Sequence, residues 1–265
     1  MNLDRSLIPA LCTAMLLMSS SCRPSQAQRT SPDLTPSNVQ SGFVTGFGDY
    51  YLYIAPYAYE LFDYPTGFSR GSSEWVDDIS LGAGFGLGSM QSLVGVQIAL
   101  NQKGFREANR STTIDVKAGR YIVNQPDLQI ALSVGGLDLI SSGKTATEPT
   151  YIVAASAAFP VLFEGSRRTV QLTLGGGNGK FQEPGSPNLL EQGVFGSLGI
   201  EVADGVGLSM GIAGGETSLK LSLAPLVQDP LRLNLTVGNL FDNDGFGRSV
   251  TLGLTWGGNF QAPTF

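Results

Sequence analysis

From Asp78 to Trp256 the chain repeats short runs in which apolar residues alternate with small or polar residues. Side chains on a β-strand point to opposite faces with a period of two, so each run predicts a strand with one apolar face and one polar face. We count twelve candidate strands between Asp49 and Trp256, of which the ninth is Val206–Ala213. Two clear apolar series are Ile79, Leu81, Ala83, Phe85, Leu87 and Val250, Leu252, Leu254, Trp256.

The connections between these strands alternate in length. Short turns such as Pro160–Arg168 are expected after the even-numbered strands. Mostly longer loops such as Asp138–Pro149 are expected after the odd-numbered ones, with Gly214–Thr217 as a short exception. An even strand number with short turns at one end and long loops at the other is typical of bacterial membrane barrels. The sequence therefore predicts an all-β fold, an antiparallel up-and-down transmembrane β-barrel of about 12 strands.

The composition of the two faces favours lipid over water around this barrel. Only 14% of the residues are charged, whereas soluble domains have about 25%. The apolar series contain almost no charged residues, and a charge facing the middle of a bilayer costs about 2–4 kcal/mol. The alternative is a soluble, secreted, lipocalin-like ligand-binding barrel with the apolar face turned inward.

The first 41 residues differ from the rest. Residues 1–27 are expected to be a secretory signal peptide, with Arg5, an apolar stretch over Leu7–Met18 and a small-residue cleavage site ending at Ala27. Both cysteines, Cys12 and Cys22, lie in it, and lipidation of Cys22 is a minor alternative. Residues 28–41 are expected to be a disordered polar lead-in, and residues 42–265 to be the barrel domain.

Catalysis is not expected. The chain has no histidine, which excludes Ser-His and Asp-His catalytic pairs and histidine zinc sites. The glycine-rich stretch Gly175–Lys180 is followed by Phe181 and does not match a phosphate-binding loop. We therefore expect no cofactor and no metal, although Asp242 and Asp244 leave a Ca²⁺ site formally open. A net charge of −6 argues against a nucleic-acid partner.

The polar face supplies the candidate functional residues, six charged groups expected to line the lumen. They either border a narrow aqueous pore for small hydrophilic solutes or pair with one another in a closed polar interior. A barrel of twelve strands lies between those filled by side chains and those that leave a channel. The many inward glycines and serines favour a narrow pore or ligand cavity. The six residues are Asp78, Asp115, Lys117, Glu201, Lys220 and Arg232.

With these features, the chain resembles small outer-membrane β-barrel proteins of Gram-negative-type bacteria, in particular uncharacterised cyanobacterial barrels. The resemblance covers Asp49 to the end of the sequence and includes a final alternating series, from Val250 to Trp256, with Phe260 in the same phase. It implies a place in the outer membrane, in contact with its lipids, with both termini in the periplasm. It also implies a porin-like channel or a structural surface barrel.

Overall fold

The chain forms a closed barrel of twelve antiparallel strands, seen in a computed structural model. The residues described are 33–36, 38–62, 73–105, 110–144, 146–182, 193–225, 231–241 and 247–259. Each strand pairs with its neighbours in sequence, and the last strand pairs with the first to close the sheet. The strands are β1 Asp49–Phe62, β2 Ser73–Gly88, β3 Gly95–Lys103, β4 Ser111–Gln125, β5 Leu128–Gly143, β6 Thr150–Phe163, β7 Ser166–Gly177, β8 Val194–Ala203, β9 Val206–Ala213, β10 Glu216–Leu223, β11 Leu231–Gly238 and β12 Ser249–Asn259.

The predicted fold class is confirmed, and several strands are longer than predicted. The expected loop from Asp138 is strand instead, because β5 continues through a bulge to Gly143. Asp138 has a φ of 55°, which aspartate tolerates better than most residues. The expected turn Pro160–Arg168 is reduced to Glu164 and Gly165, both with positive φ, as in the tight hairpin turns that match strand twist.

Proline is accommodated within β1 at a gap in the hydrogen-bond ladder. β1 pairs with β2 without interruption, whereas its pairing with β12 stops at Ile54 and resumes at Tyr57. The gap covers Ala55 and Pro56, where the missing proline N–H would otherwise leave an acceptor without a donor. The strand therefore stays continuous despite Pro56.

Apolar side chains cover the outside of the barrel. In β7, the side chains of Leu172 and Leu174 are exposed and that of Thr173 between them is buried; Leu174 has 65% of its surface accessible. Similar apolar residues are exposed on many other strands, including Phe85, Leu100, Leu132, Val134, Val153, Leu198, Met210, Leu219, Leu235 and Leu252. This is the arrangement of a membrane barrel and the reverse of what a soluble barrel requires.

Small polar side chains cover the inside. The buried polar residues on the strands include Asn101, Thr113, Ser133, Ser156, Thr173, Ser209, Ser218, Ser222 and Thr236. Twelve strands about 4.8 Å apart and tilted by about 40° close into a cylinder of roughly 12 Å radius. Such a cylinder is too wide to be filled by serine, threonine and glycine alone, so other groups must occupy its centre.

The two ends of the barrel differ. Short turns between β2 and β3, β4 and β5, β6 and β7, and β8 and β9 lie at the end where β1 starts and β12 finishes. We call this the turn end and the opposite end the loop end. A short 3-10 helix, η1 (Gly179–Phe181), follows β7 at the loop end. No helix in the described part of the chain is long and apolar enough to cross a membrane.

The expected signal peptide, residues 1–27, lies outside the described residues. The expected disordered lead-in is described only from residue 33, with Ser37 omitted. Its described residues and those that follow, up to residue 48, lie inside the barrel, where Leu34, Pro36 and Val39 are buried. We call residues 33–48 the lumen segment.

Candidate functional site in the barrel lumen

The lumen segment makes a loop that enters and leaves at the turn end. The Asp33 N–H donates to the Ser222 hydroxyl, close to the end of β10, and the Gly48 N–H donates to the Gly86 carbonyl, close to the end of β2. Between them, the segment turns where the Val39 N–H donates to the Pro36 carbonyl at 3.1 Å. Asn38 at this turn donates to the carbonyl of Glu216, the first residue of β10, so the turn points towards the loop end.

On one side the segment is held by β4, β5 and β6. The carbonyl of Ser41 accepts hydrogen bonds from the Lys117 ammonium at 2.9 Å and from the Ser133 hydroxyl at 3.1 Å. The next amide, Gly42 N–H, donates to the Ser156 hydroxyl at 2.8 Å. These wall side chains therefore satisfy backbone groups that have no strand partner, which buried backbone requires.

On the other side the segment is held by β7 and β10. Gln171 donates to the Thr35 hydroxyl at 2.7 Å, and the Lys220 ammonium donates to the Thr35 carbonyl at 2.5 Å. The Ser218 hydroxyl donates to the side-chain oxygen of Asn38. The wall thus binds the segment by both its backbone and its side chains.

Glycines of the wall provide the space for the segment. A Cβ added to Gly199 would lie 2.3 Å from the Leu34 carbonyl oxygen, and one added to Gly86 would lie 2.0 Å from the Gly46 carbonyl oxygen. Gly211 similarly faces Val39 and Pro36, at 2.7 Å and 3.0 Å. The segment also contributes a glycine, because a Cβ on Gly42 would lie 2.6 Å from both Ala131 O and Ser156 N. The inward glycines therefore make room for protein in this structure.

Three wall cations act on one carboxylate of the segment. Lys220 Nζ lies 2.5 Å from Asp33 Oδ2, and both Lys117 and Arg232 interact with Asp33 electrostatically. Burial raises the pKa of the Asp33 carboxyl, but the nearby Lys220 ammonium outweighs this and the pKa is lowered overall. Asp33 is therefore held as a carboxylate against the wall.

The acidic groups of the opposite wall are bound by that wall itself. Asp115 accepts from the Asn101 side chain at 2.9 Å and from the backbone N–H of Asp138 at 2.7 Å. The Asp138 carboxylate in turn accepts from Lys103 Nζ at 2.8 Å and from the Thr147 hydroxyl. This group, which we call the β3–β5 network, contains no residue of the lumen segment.

The two remaining expected lumen residues lie apart from the segment's contacts. Asp78 is buried, and its Oδ1 accepts from the backbone N–H groups of Ile79 and Phe105, each at 2.8 Å. Glu201 lies towards the turn end, where its two oxygens accept from Thr169 N–H and Gly205 N–H at 3.4 Å. The structure thus places Lys220 in contact with Asp33 and Lys117 on Ser41 of the same segment, with Arg232 acting on Asp33 electrostatically. It does not bring Asp78 or Glu201 to the same place.

A polar cavity of about 160 Å³ separates the segment from the β1–β5 wall. Asp115 and Lys117 line it, together with Tyr51, Gln97 and Gln40 of the segment. A water molecule needs about 30 Å³, so the cavity has room for about five waters or for one small polar molecule.

Apolar side chains form a second interior cluster towards the loop end. Phe181 of η1 packs against Phe195 of β8 with ring centroids 4.8 Å apart. Val39 at the turn of the lumen segment belongs to the same buried cluster, so the tip of the segment packs against the group that covers this part of the lumen. The other members are Leu137, Ile152, Ala154 and Ala213.

The sequence analysis did not foresee the lumen segment as part of the site. Its polar composition and prolines predicted a disordered lead-in, because nothing in the segment itself forms a core. The available signal was in the wall, where the inward glycines of β8 and β9 leave more space than the interior side chains fill.

Comparison with known proteins gives matches only among solved structures: no family model matches the chain, and no curated protein matches it. The KdgM porin is similar with a TM-score of 0.45 and 11% identity, over 77% of this chain and 98% of that chain. An outer membrane channel from Pseudomonas putida F1 has a TM-score of 0.45 and 10% identity, over 85% of this chain and 100% of that chain. The outer membrane protein Omp33 of Acinetobacter baumannii has a TM-score of 0.37 and 11% identity, over 80% and 100%. The resemblance to cyanobacterial barrels stays a prediction.

Proposed function

We propose that the protein is a narrow, porin-like channel of a bacterial outer membrane, through which small hydrophilic solutes diffuse. The observation that carries this proposal is the reversed polarity of the barrel, apolar outside and polar inside. An interior lined by hydroxyl, amide and charged groups lowers the cost of moving a hydrated solute across the membrane. In this role the chain has no catalytic residues, which stays a prediction.

The width of the barrel supports a passage once the lumen segment is out of the way. The segment contacts the inner wall on nine consecutive strands, β2 to β10, and therefore lies across the lumen. The wall behind it consists mostly of small residues, glycine, serine and threonine, with the longer polar side chains Lys117, Gln171 and Lys220 among them. The channel proposed here therefore has a closed form, with the segment in the lumen, and an open form without it.

A structural surface barrel is the second candidate. It is favoured by the same segment and by the packing of Phe181 on Phe195, which together fill the interior with protein. In that role the segment would be a permanent part of the fold, and no solute would cross.

Conductance distinguishes the two roles. The full-length protein and a variant lacking residues 33–44 are each reconstituted into planar bilayers; residues 45–48 are kept because they lead into β1. A channel predicts stable unit conductance in the deletion variant and rare openings in the full-length protein. If the full-length protein neither conducts nor admits small sugars into vesicles, the structural role is the correct one, even where the deletion variant conducts.

A further inference from the structure

We propose that residues 33–48 are a displaceable plug, and that the place of the Asp33 carboxylate is a binding site for small anionic solutes. This proposal rests on the channel function proposed above. The anion site is made by Lys220, Lys117 and Arg232, and we expect its ligands to be small carboxylates.

The barrel closes without the segment. β1 pairs with β12 directly, and every strand has its two neighbours in the wall. Among the described residues, the segment is attached by side-chain hydrogen bonds, a backbone hydrogen bond from Gly48 to Gly86, one ion pair and the packing of a few apolar groups. It contributes no strand to the sheet. Its departure therefore breaks no strand pairing, which is the interaction that holds a barrel together in the membrane.

The route of the segment permits withdrawal without threading. Both of its ends lie at the turn end of the barrel, beside Ser222 and Gly86. The part between them reaches deeper and turns back at Pro36–Val39. A loop with both ends at one mouth leaves through that mouth as a unit. The connection to β1 remains in place throughout.

The charges of the wall indicate which solutes replace the segment. Lys220, Lys117 and Arg232 act on Asp33, whereas the acids Asp115 and Asp138 are bound within the β3–β5 network. When the segment leaves, the wall loses one carboxylate and keeps the three cations, while the neighbouring Asp115, which is bound by uncharged donors, offsets part of the charge of Lys117. Low-dielectric walls strengthen such a local field and raise the concentration of counter-ions near it, so the open lumen attracts anions.

A reversible cross-link tests whether the segment resides in the lumen and blocks it. The hydroxyl oxygens of Ser41 and Ser156 lie 3.3 Å apart, and residues 23–265 contain no cysteine. The double variant Ser41→Cys/Ser156→Cys is prepared in the Cys22→Ser background. We expect the disulfide to form readily, the oxidised protein to be closed, and reduction to increase channel openings by about tenfold or more. Each single cysteine variant is the control and should not respond to reductant.

The anion site is tested by selectivity in a potassium chloride gradient. We expect the variant lacking residues 33–44 to prefer chloride over potassium by about threefold or more, because the wall cations are then exposed to solvent. Adding Lys220→Glu to that variant should reverse the preference, and adding Lys103→Glu should change it much less. In the full-length Ser41→Cys variant, citrate should speed thiol labelling more than potassium chloride does at equal ionic strength.

The outcomes separate this proposal from the channel function. A deletion variant that conducts together with a cross-link that abolishes conductance supports both. Equal conductance of the deletion variant, the oxidised and the reduced double variant overturns the plug and leaves the channel. No conductance in any of them overturns the channel. A cation-selective deletion variant, or labelling that citrate does not affect, overturns the anion site.

Discussion

Two walls of the same lumen satisfy their polar groups in different ways. On the β3–β5 side, Asp115, Asp138 and Lys103 bind one another and nearby wall groups. On the β7–β10 side, Gln171, Ser218 and Lys220 bind the lumen segment. The difference shows that some polar contacts in a barrel interior belong to the wall itself, whereas others depend on the bound segment. The β3–β5 network keeps its contacts whatever the segment does, although Lys117 and Ser133 on β4 and β5 also bind the segment. The β7–β10 groups keep theirs only while the segment is bound.

Replacing Asp138 by alanine should have the largest effect, and the effect should fall on the barrel. Asp138 is almost completely buried and holds Lys103, Thr147 and, through its N–H, Asp115. Losing this carboxylate removes the partner of Lys103, whose side chain is 40% exposed, and of Thr147, which is also exposed, at about 1–2 kcal/mol. Alanine tolerates the positive φ at this position poorly, which costs about another 1–2 kcal/mol. Reversible unfolding by denaturant in lipid vesicles measures the change. An unchanged free energy of unfolding would show that the β3–β5 network does not stabilise the wall.

Replacing Lys220 by methionine should free the segment and leave the barrel stable. The change removes the ion pair to Asp33 and a hydrogen bond to the Thr35 carbonyl. The Asp33 side chain is 42% exposed. We therefore expect the binding of the segment to weaken by about 1–3 kcal/mol, less than for a fully buried pair. This corresponds to labelling of a cysteine at position 41 that is about 5- to 150-fold faster.

The matched control for that prediction is Lys103→Met, which removes a wall lysine whose ion pair involves no segment residue. Labelling at position 41 should keep its original rate in this variant. Equal acceleration by both substitutions would mean that the two walls do not differ in the way described.

Adding a methyl group to the wall should weaken the binding of the segment by a smaller amount than Lys220→Met does. In Gly199→Ala the new Cβ would lie 2.3 Å from the Leu34 carbonyl oxygen, whereas in Gly253→Ala it would meet only Asn234 at ordinary contact distance, 3.5 Å. Overpacking of this kind costs about 1–3 kcal/mol, and less where the crowded group can shift. Faster labelling of a cysteine at position 41 in Gly199→Ala alone is expected. Identical behaviour of the two alanine variants would contradict the close approach of the segment to β8.

Acid should release the segment. This effect is the smallest of those predicted, because it is absent near neutral pH. The pKa of Asp33 is lowered from its usual 3.8, so its attraction to Lys220 is fully present above that value and is lost as the pH falls through the lowered pKa. Channel openings should therefore increase below a pH of about 3.8 and stay constant from there to neutrality. Asp33→Asn should remove this response. Openings that increase on raising the pH from 5 to 8 would contradict the assignment.

The barrel was predictable because lipid requires every second residue of a strand, the one that faces outward, to be apolar. The alternation in β9, Val206–Ala213, gave its limits without error, and the apolar face was correctly assigned to the outside. Where the rule is interrupted, the prediction failed: the bulge at Asp138 and the proline at position 160 both resembled strand ends.

The lumen segment could not be predicted because its partners are far away in sequence. Asp33 and Ser222 are separated by 189 positions, and Ser41 and Lys117 by 76. Its residues carry no periodicity, since it forms neither helix nor strand. The six charged residues were chosen by their position on the polar face, which gives the direction of a side chain but not its partner across the lumen.

The description of both walls requires that the polar face of each strand lies inside the barrel. Spin labels on three successive residues of β7 measure this directly. Labels at positions 172, 173 and 174 are compared for collisions with oxygen, which partitions into lipid, and with a polar nickel complex. The account predicts high oxygen accessibility at 172 and 174 and low accessibility at 173. The opposite pattern, with 173 in lipid and 172 and 174 shielded, would contradict it.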